Sequence, residues 1–372
     1  MVKHVKVLNI VKYYYPSKGG METFAKILSE GLMKKGFETT ILTINHQRSI
    51  PSSIENIGGI RVWRVGCWGK VMSQPLTIFF RSALEKLIVE HDLVHLNCPF
   101  PNVEIYSQIL LKKPLIITWH ANPLRTRWKP LALFYRPILY RVLKHASKVV
   151  VTSSNLLKFS ISLEPFKNKC SIIPLSFRFG SKNPCCTSKV ETELTPTVLF
   201  VGALRPYKGV KYLIRAMSRV KNAKLEIIGT GEEEDKLKQL TRKLQLDSRV
   251  IFHNNVNDEE LQDYYKRAFL FVLPSISDSE AFGIVQLEAM SFGLPVINTD
   301  LQTGVPYVSL HGSTGFTVPP KDEFALADAI NRLLQDRELY ETFSKNAIDR
   351  SKEFTEDKMV DKYVQLYREI LY

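Results

Sequence analysis

The chain has 372 residues, 45% of them apolar, and a formal net charge of +14. That is enough apolar material for a substantial core, and the length favours two domains over one. No stretch approaches the roughly 18 uninterrupted apolar residues of a membrane span.

The opening residues 1–12 read as a strand broken by Lys3, Lys6 and Asn9, which argues against a signal peptide. Five cysteines, scattered apart from the adjacent Cys185-Cys186, lack metal-ligand spacing. They argue for a reducing, cytoplasmic compartment and against a disulfide scaffold or zinc site. The charge is uneven. Residues 1–190 hold 28 Lys and Arg against 9 Asp and Glu, a balance of +19, and residues 191–372 hold 23 against 28, a balance of −5. Such a split suggests that the first half meets an anionic partner: nucleic acid, anionic membrane or phosphorylated substrate.

Val5–Val11 reads as a strand that runs through Tyr13-Tyr14-Tyr15-Pro16-Ser17-Lys18-Gly19-Gly20 into an amphipathic helix over Met21–Lys35. Paired glycines at a strand-to-helix turn permit close approach of a phosphate to backbone amides, though the spacing is neither a dinucleotide fingerprint nor a Walker A loop. Thr39–Ile44, Leu93–Leu96, Leu115–Trp119 and Lys148–Thr152 continue as short strands. His120 follows the third of these at its carboxyl end and is equally suited to a ligand contact or a structural hydrogen bond. His95 reads as structural. The segment Phe177–Pro196 interrupts all periodicity and marks a domain boundary.

The second half repeats the pattern. Thr197–Gly202, Lys224–Gly229, Val250–His253, Phe269–Leu273 and Pro295–Asn298 are strands with helices between, the first helix being Val210–Val220. Alternating strands and helices with short loops predict parallel sheets covered on both faces. The expected fold is therefore α/β, with two Rossmann-like doubly wound domains facing each other across a cleft. Arg205 and Lys208 lie in the loop after the strand that ends at Gly202, two cations suited to a diphosphate. Glu280 falls in the loop before a helix read over Phe282–Phe292, and Glu288 lies a little over two turns further on. A helix tip with Gly283 in its first turn suits a phosphate, with sugar hydroxyls on either side. No Asp-x-Asp occurs, so a carboxylate-held metal has no obvious ligands, and no hydrolytic triad stands out.

Taken in order, these segments resemble the family 4 retaining glycosyltransferases of the GT-B architecture. The matching segments are Gly19-Gly20, Trp119-His120, Val151-Thr152-Ser153-Ser154, Gly202-x5-Lys208-Gly209 and Ile228-Gly229-x-Gly231. They continue with the Glu280/Glu288 pair, Gly293-Leu294-Pro295-Val296 and Gly315-Phe316-Thr317-Val318-Pro319-Pro320. The resemblance implies an acceptor-side domain over 1–178, a donor domain over 179–357, and a last helix, 358–372, that packs back on the first. It implies that Lys208 holds the donor diphosphate, Glu280 and His120 contact the transferred sugar, and Glu288 accepts from the ribose hydroxyls. Gly19 and Gly20 would lie against phosphate, as would Gly202, while amides around Phe282, Gly283 and Ile284 face sugar and phosphate. Retention without a carboxylate nucleophile implies front-face attack, in which the departing phosphate takes the acceptor proton. Ala203 stands where the family usually has Arg, with Arg205 the available substitute; Ala121-Asn122 replaces a common Ser-Asp; Asn254 replaces a common glycine before the base-contacting loop.

The expected activity is transfer of a hexose from a UDP-, GDP- or ADP-sugar, without a metal cofactor, to a saccharide acceptor that is lipid-linked. The alternatives are a sugar-nucleotide epimerase or phosphorylase of the same architecture, or a non-catalytic basic binding protein. A basic nucleic-acid-binding or scaffold protein would leave the glutamate pair unexplained, so no nucleic acid is expected. Residues 125–148 place Arg125, Arg127, Lys129, Arg136, Arg141, Lys144 and Lys148 around Trp128, Phe134, Tyr135 and Tyr140. That pattern suits the surface of an anionic membrane or, equally, a core-facing helix with solvated arginines. The charge split favours the membrane, and with it peripheral binding on the cytoplasmic face.

Overall fold

The computed structural model describes residues 5–17, 19–47, 50–71, 74–122, 129–177 and 195–372. The pair Cys185-Cys186, the residues Arg125, Arg127 and Trp128, and most of the 177–196 boundary lie outside the described residues. The chain divides into two compact units, Met1–Leu175 with Glu356–Tyr372 and Ser176–Thr355.

Unit 1 begins with β1 (Lys6–Ile10), α1 (Gly20–Lys34), β2 (Glu38–Ile44), β3 (Ser53–Ile57), β4 (Ile60–Val65), a hairpin of β5 (Gly69–Val71) and β6 (Gln74–Leu76), and α2 (Phe80–Glu90). It continues with β7 (Leu93–Cys98), α3 (Pro101–Glu104), α4 (Ser107–Leu110), β8 (Leu115–Trp119), α5 (Lys129–His145), β9 (Lys148–Val151), α6 (Ser154–Phe159) and β10 (Cys170–Ile172). The sheet order is β10-β9-β8-β7-β1-β2-β4-β3. Its strands are parallel except β3, which pairs antiparallel with β4 at the edge. Strands covered on both faces read as unbroken apolar runs, and β7 and β8 are buried throughout. β3 is exposed nearly throughout, so it carries no apolar run by which the sequence could disclose it.

Unit 2 contains β11 (Thr197–Val201), α7 (Val210–Ala216), β12 (Lys224–Ile228), α8 (Glu234–Lys243), β13 (Val250–His253), α9 (Asp258–Arg267) and β14 (Leu270–Leu273). α10 (Ile284–Ser291), β15 (Val296–Thr299), α11 (Val305–Val308), β16 (Gly315–Val318), α12 (Glu323–Gln335) and α13 (Arg337–Ser351) follow. All six strands are parallel, in the order β13-β12-β11-β14-β15-β16. Two helices are shorter than their apolar spacing predicts. α7 stops at Ala216 rather than Val220, and α10 starts at Ile284 because Gly283 before it is left-handed, with φ 74°.

The last helix, α14 (Glu356–Leu371), packs in unit 1 against α1. It buries Met359, Val360, Tyr363, Val364, Leu366 and Tyr367. Each fully buried large side chain contributes about 1.5–3 kcal/mol. Its two tyrosines are also bonded into the sheet. The Tyr363 hydroxyl lies 2.8 Å from Thr118 Oγ1 on β8, and Tyr367 reaches His95 Nδ1 on β7 at 2.6 Å. His95 Nε2 closes the chain on Thr118 at 2.6 Å. Burial pushes the His95 imidazole down to about 3, so it is neutral and structural.

α5 turns Leu139, Val142 and Leu143 into the core. The Tyr135 hydroxyl donates to the buried carboxyl of Glu104, and Tyr140 packs on Phe166 at 5.5 Å. Two aromatics expected at a membrane surface are therefore held by the protein itself. Phe134, Arg136, Arg141 and Lys144 stay exposed.

Candidate donor site and the unit 1 switch point

Parallel strands place all their carboxyl ends on one side of the sheet. Where the chain leaves two neighbouring strands in opposite directions, the loops diverge and open a crevice. In unit 2 these neighbours are β11 and β14. The loop after β11 carries Gly202, Arg205 and Lys208, and the loop after β14 carries Glu280, Phe282 and Gly283. These six sequence-predicted residues therefore come from the two loops that flank one crevice, whereas Ile284 and Glu288 lie on α10 and Gly19 and Gly20 lie in unit 1.

Backbone contacts hold the two loops together. Ile276 N–H donates to the Tyr207 carbonyl at 2.8 Å. Gly209 is left-handed at φ 68°, and any Cβ there would collide with the Pro274 carbonyl. Lys208 Nζ thereby meets Glu280 Oε2 at 2.6 Å, both side chains being 10% accessible. Ser275 Oγ donates to the same oxygen at 3.0 Å. The ammonium also lies 3.5 Å from the point a Gly202 side chain would occupy. Arg205 is exposed, and no carboxylate among the described residues pairs with it.

The α10 tip is fixed by two buried amides that sequence reasoning missed. Gln286 Nε2 donates to the Phe282 carbonyl at 3.2 Å, and Asn298 donates to Gln286 Oε1 at 2.9 Å and to the Val305 carbonyl at 3.1 Å. Amides inside apolar runs were the available signal, because a buried amide without partners is costly. Phe282 is buried and packs on Phe354. Ile284 opens the helix.

Glu288 lies on α10 facing α9, where the buried Tyr265 hydroxyl donates to its Oε2 at 2.9 Å. The residue keeps some accessible surface, but its carboxyl end is packed deep. Burial pushes its pKa up to about 7, opposed in part by the Tyr265 hydrogen bond. Such a carboxyl has accepting capacity for hydroxyls once ionised.

In unit 1 the corresponding divergence lies between β1 and β7. Gly19 caps α1 with extended backbone, and Gly20 is the first helical residue. The carboxylate of Glu22 folds back against Gly19, so the anion nearest this helix tip belongs to the chain itself. Burial raises the Glu22 pKa. A phosphate placed at Gly19-Gly20 would meet that carboxylate. His120 N–H donates to the Cys98 carbonyl at 3.0 Å, its Nε2 lies 2.9 Å from Asn97 Oδ1, and Phe24 packs edge-on against the ring at 5.0 Å. Burial pushes His120 down to about 3.

Two doubly wound units, with a cation, a carboxylate and a helix tip gathered at a switch point, form the framework of a glycosyltransferase. Two family descriptions match the chain: Glycosyltransferase Family 4 over residues 18–176 and Glycosyl transferases group 1 over residues 188–350. The O-antigen chain mannosyltransferase C of Escherichia coli is 29% identical over 378 aligned residues, covering 99% of each chain. Sucrose-phosphate synthase from Thermosynechococcus elongatus superposes with a TM-score of 0.79 at 23% identity, covering 99% of each chain. Anabaena HepE in complex with UDP and glucose superposes with a TM-score of 0.75 at 19% identity, covering 98% of this chain and all of that one. The chain is a glycosyltransferase. It belongs to the family 4 glycosyltransferases of the GT-B architecture.

The raised pKa of Glu288 fixes the sign of a stability test. A carboxyl with a folded pKa near 7 and an unfolded one near 4.5 is favoured by folding in its protonated form. Its penalty is absent below the unfolded value, grows as pH rises, and is complete above the folded value. Glu288→Gln should therefore stabilise the protein above pH 7 by up to about 3 kcal/mol, with the advantage vanishing towards about pH 4.5. Thermal unfolding of both proteins across that range checks the sign.

Proposed function

We propose that this protein transfers a hexose, with retention, from a nucleotide-diphosphate sugar to a saccharide acceptor that is lipid-linked, in glycan assembly. The observation that carries the reading is the 2.6 Å Lys208–Glu280 pair at the switch point of unit 2. HepE was solved with UDP and glucose, and the E. coli relative is named for O-antigen chain mannosyl transfer; both support this chemistry.

In this reading Lys208, the loop at Gly202 and the α10 tip around Phe282, Gly283 and Ile284 take the diphosphate. Charge building on the leaving group is met by a fixed cation and oriented amides, which need no reorganisation during the reaction. Arg205, exposed beside Ala203, supplies a second cation. Glu280 orients the sugar, Glu288 accepts from the ribose hydroxyls, and His120 contacts the transferred sugar. The role of Gly19 and Gly20 is limited to a close backbone approach, because Glu22 sits against the helix tip. The acceptor attacks on the face the diphosphate leaves, and its proton passes to the departing phosphate oxygen.

The ion pair separates the effects of its two members. Glu280→Ala should lower kcat by roughly 100-fold or more, yet leave nucleoside diphosphate affinity equal or tighter, since Lys208 loses its internal partner. Lys208→Ala should weaken that affinity by roughly 1.5–3 kcal/mol. Calorimetric titration with UDP, GDP and ADP, beside product analysis, measures both. Near-normal kcat in Glu280→Ala would remove the glutamate from the reaction.

Phosphate charge in this reading is met by Lys208, Arg205 and helix amides, and no group of His, Cys, Asp and Glu that could hold a metal occurs among the described residues. Full activity should therefore survive excess EDTA. Loss restored by Mn²⁺ or Mg²⁺ would contradict the metal-independent scheme.

No helix among the described residues is long and apolar enough to cross a membrane. We place the protein on the cytoplasmic face as a peripheral binder, through the exposed Arg136, Arg141, Lys144 and Phe134 of α5. Each cation near an anionic surface adds about 1 kcal/mol. Sedimentation with liposomes should show binding to anionic but not neutral vesicles, weakened by salt. Equal partitioning on both would rule out this basic face as the anchor.

A further inference from the structure

Four buried polar groups at the unit 1 switch point fix a proton. Asn97 Nδ2 lies 2.9 Å from the Ile10 carbonyl and 2.8 Å from Asn9 Oδ1. A backbone carbonyl can only accept, so the nitrogen of the Asn97 amide must face it, and the amide orientation follows from the network. Both N–H bonds of Asn97 are then committed to Ile10 and Asn9. Asn9 is anchored in turn, its Nδ2 donating to Ser29 Oγ on α1 at 3.2 Å. The remaining Asn97 atom, Oδ1, is an acceptor, and it faces His120 Nε2 at 2.9 Å. His120 Nε2 must carry a hydrogen.

His120 is 6% exposed, with Phe24 edge-on to its ring. Its Nδ1 has no hydrogen-bond partner among the described residues. It is also absent from the fully buried unpaired nitrogens, so it is the polar atom through which the ring reaches its surroundings. We infer that Asn97 is a positioning residue: it locks His120 as the Nε2–H tautomer, so that Nδ1 presents a lone pair that accepts a hydrogen bond from a sugar hydroxyl. His120 thus recognises a hydroxyl donor and neither supplies a proton nor acts as a cation. The choice of ligand hydroxyl rests on the glycosyltransferase reading, whereas the tautomer stands independently of it.

Nitrogen-15 spectra of the histidine-labelled full chain test the tautomer directly, with His120 assigned by its loss in His120→Asn. The expected signature is one neutral form with a pyridine-like Nδ1 and a protonated Nε2, from about pH 5 to 8. An Nδ1–H form would overturn the proposal. Asn97→Leu should mix the two tautomers and lower kcat roughly tenfold or more, while KM for the nucleotide sugar moves less than about twofold. A folded Asn97→Leu protein with mixed tautomers and unchanged kcat would also overturn it. If that variant does not fold, two substitutions at His120 decide instead. Asparagine places an amide oxygen near the Nδ1 position and glutamine places its amide near Nε2, so His120→Asn should keep more turnover than His120→Gln; the reverse order refutes the assignment. Absence of any sugar transfer in the wild type would defeat the transferase reading alone, since the spectra still report the tautomer.

Discussion

The constraint on which the rest of unit 2 depends is that β11 and β14 are parallel neighbours whose chains depart in opposite directions. Their following loops cannot cover one another, so the carboxyl ends of both strands open into a crevice. Hydrophobic burial of the strands then fixes where polar side chains emerge. Val198–Phe200 and Leu270–Leu273 are fully buried, and Lys208 and Glu280 lie in the loops that follow those strands. Taking the two charges from water costs several kcal/mol per ion, which only close pairing and hydrogen bonds offset. The Lys208–Glu280 contact, with Ser275 on the same oxygen, supplies both. A pair built in this way is poised rather than optimal. In the proposed reading, a diphosphate would give the ammonium a stronger partner and leave the carboxylate available to sugar hydroxyls.

Unit 1 uses the same divergence for a different end. At the junction of β1 and β7 the polar groups are amides, imidazoles and hydroxyls bonded to one another: Asn9, Asn97 and His120 on one side, His95, Thr118, Tyr363 and Tyr367 on the other. Phe24 touches the rings of His95, His120 and Tyr363, so one side chain of α1 couples the two groups. Neutral groups suit this position, since desolvation drives both histidines far below their ordinary range. A buried hydrogen-bonded network favours one arrangement, because each lost partner leaves an unpaired group in a medium that cannot solvate it.

Much of this was legible in the chain itself, for identifiable reasons. Strands buried on both faces cannot hide their apolar runs, so Leu115–Trp119 and Thr197–Gly202 announced themselves. Charged residues just beyond such runs lie at carboxyl ends, which made Lys208, Arg205 and Glu280 candidates without coordinates. Where burial does not govern, the sequence is silent. β3 is nearly all exposed, and its side-chain tie to β4 is an ion pair between Glu55 and Arg64 rather than an apolar run. Gly283 delays the start of α10 to Ile284 with a left-handed turn that periodicity cannot express. Tyr135 and Tyr140 share a helix with arginines, and the same spacing serves a core-facing helix or a membrane-facing one.

What the sequence by itself determined was therefore the alternation of strand and helix, the family, and the residue types at strand ends. All three follow from local periodicity and from chemistry at single positions. The tertiary structure alone decided which of those residues meet. Lys208 and Glu280 are 72 positions apart, and only the neighbouring of β11 and β14 sets them 2.6 Å from one another. It likewise decided that Tyr363 and Tyr367 of the last helix bond to Thr118 and His95, more than 200 residues earlier. Spacing gives α14 an apolar face but not its partner. The proton on His120 is the most distant of these consequences, because it depends on the direction of an amide on another strand. The physical reason is common to all: burial patterns are written along the chain, while hydrogen bonds and ion pairs are satisfied across it.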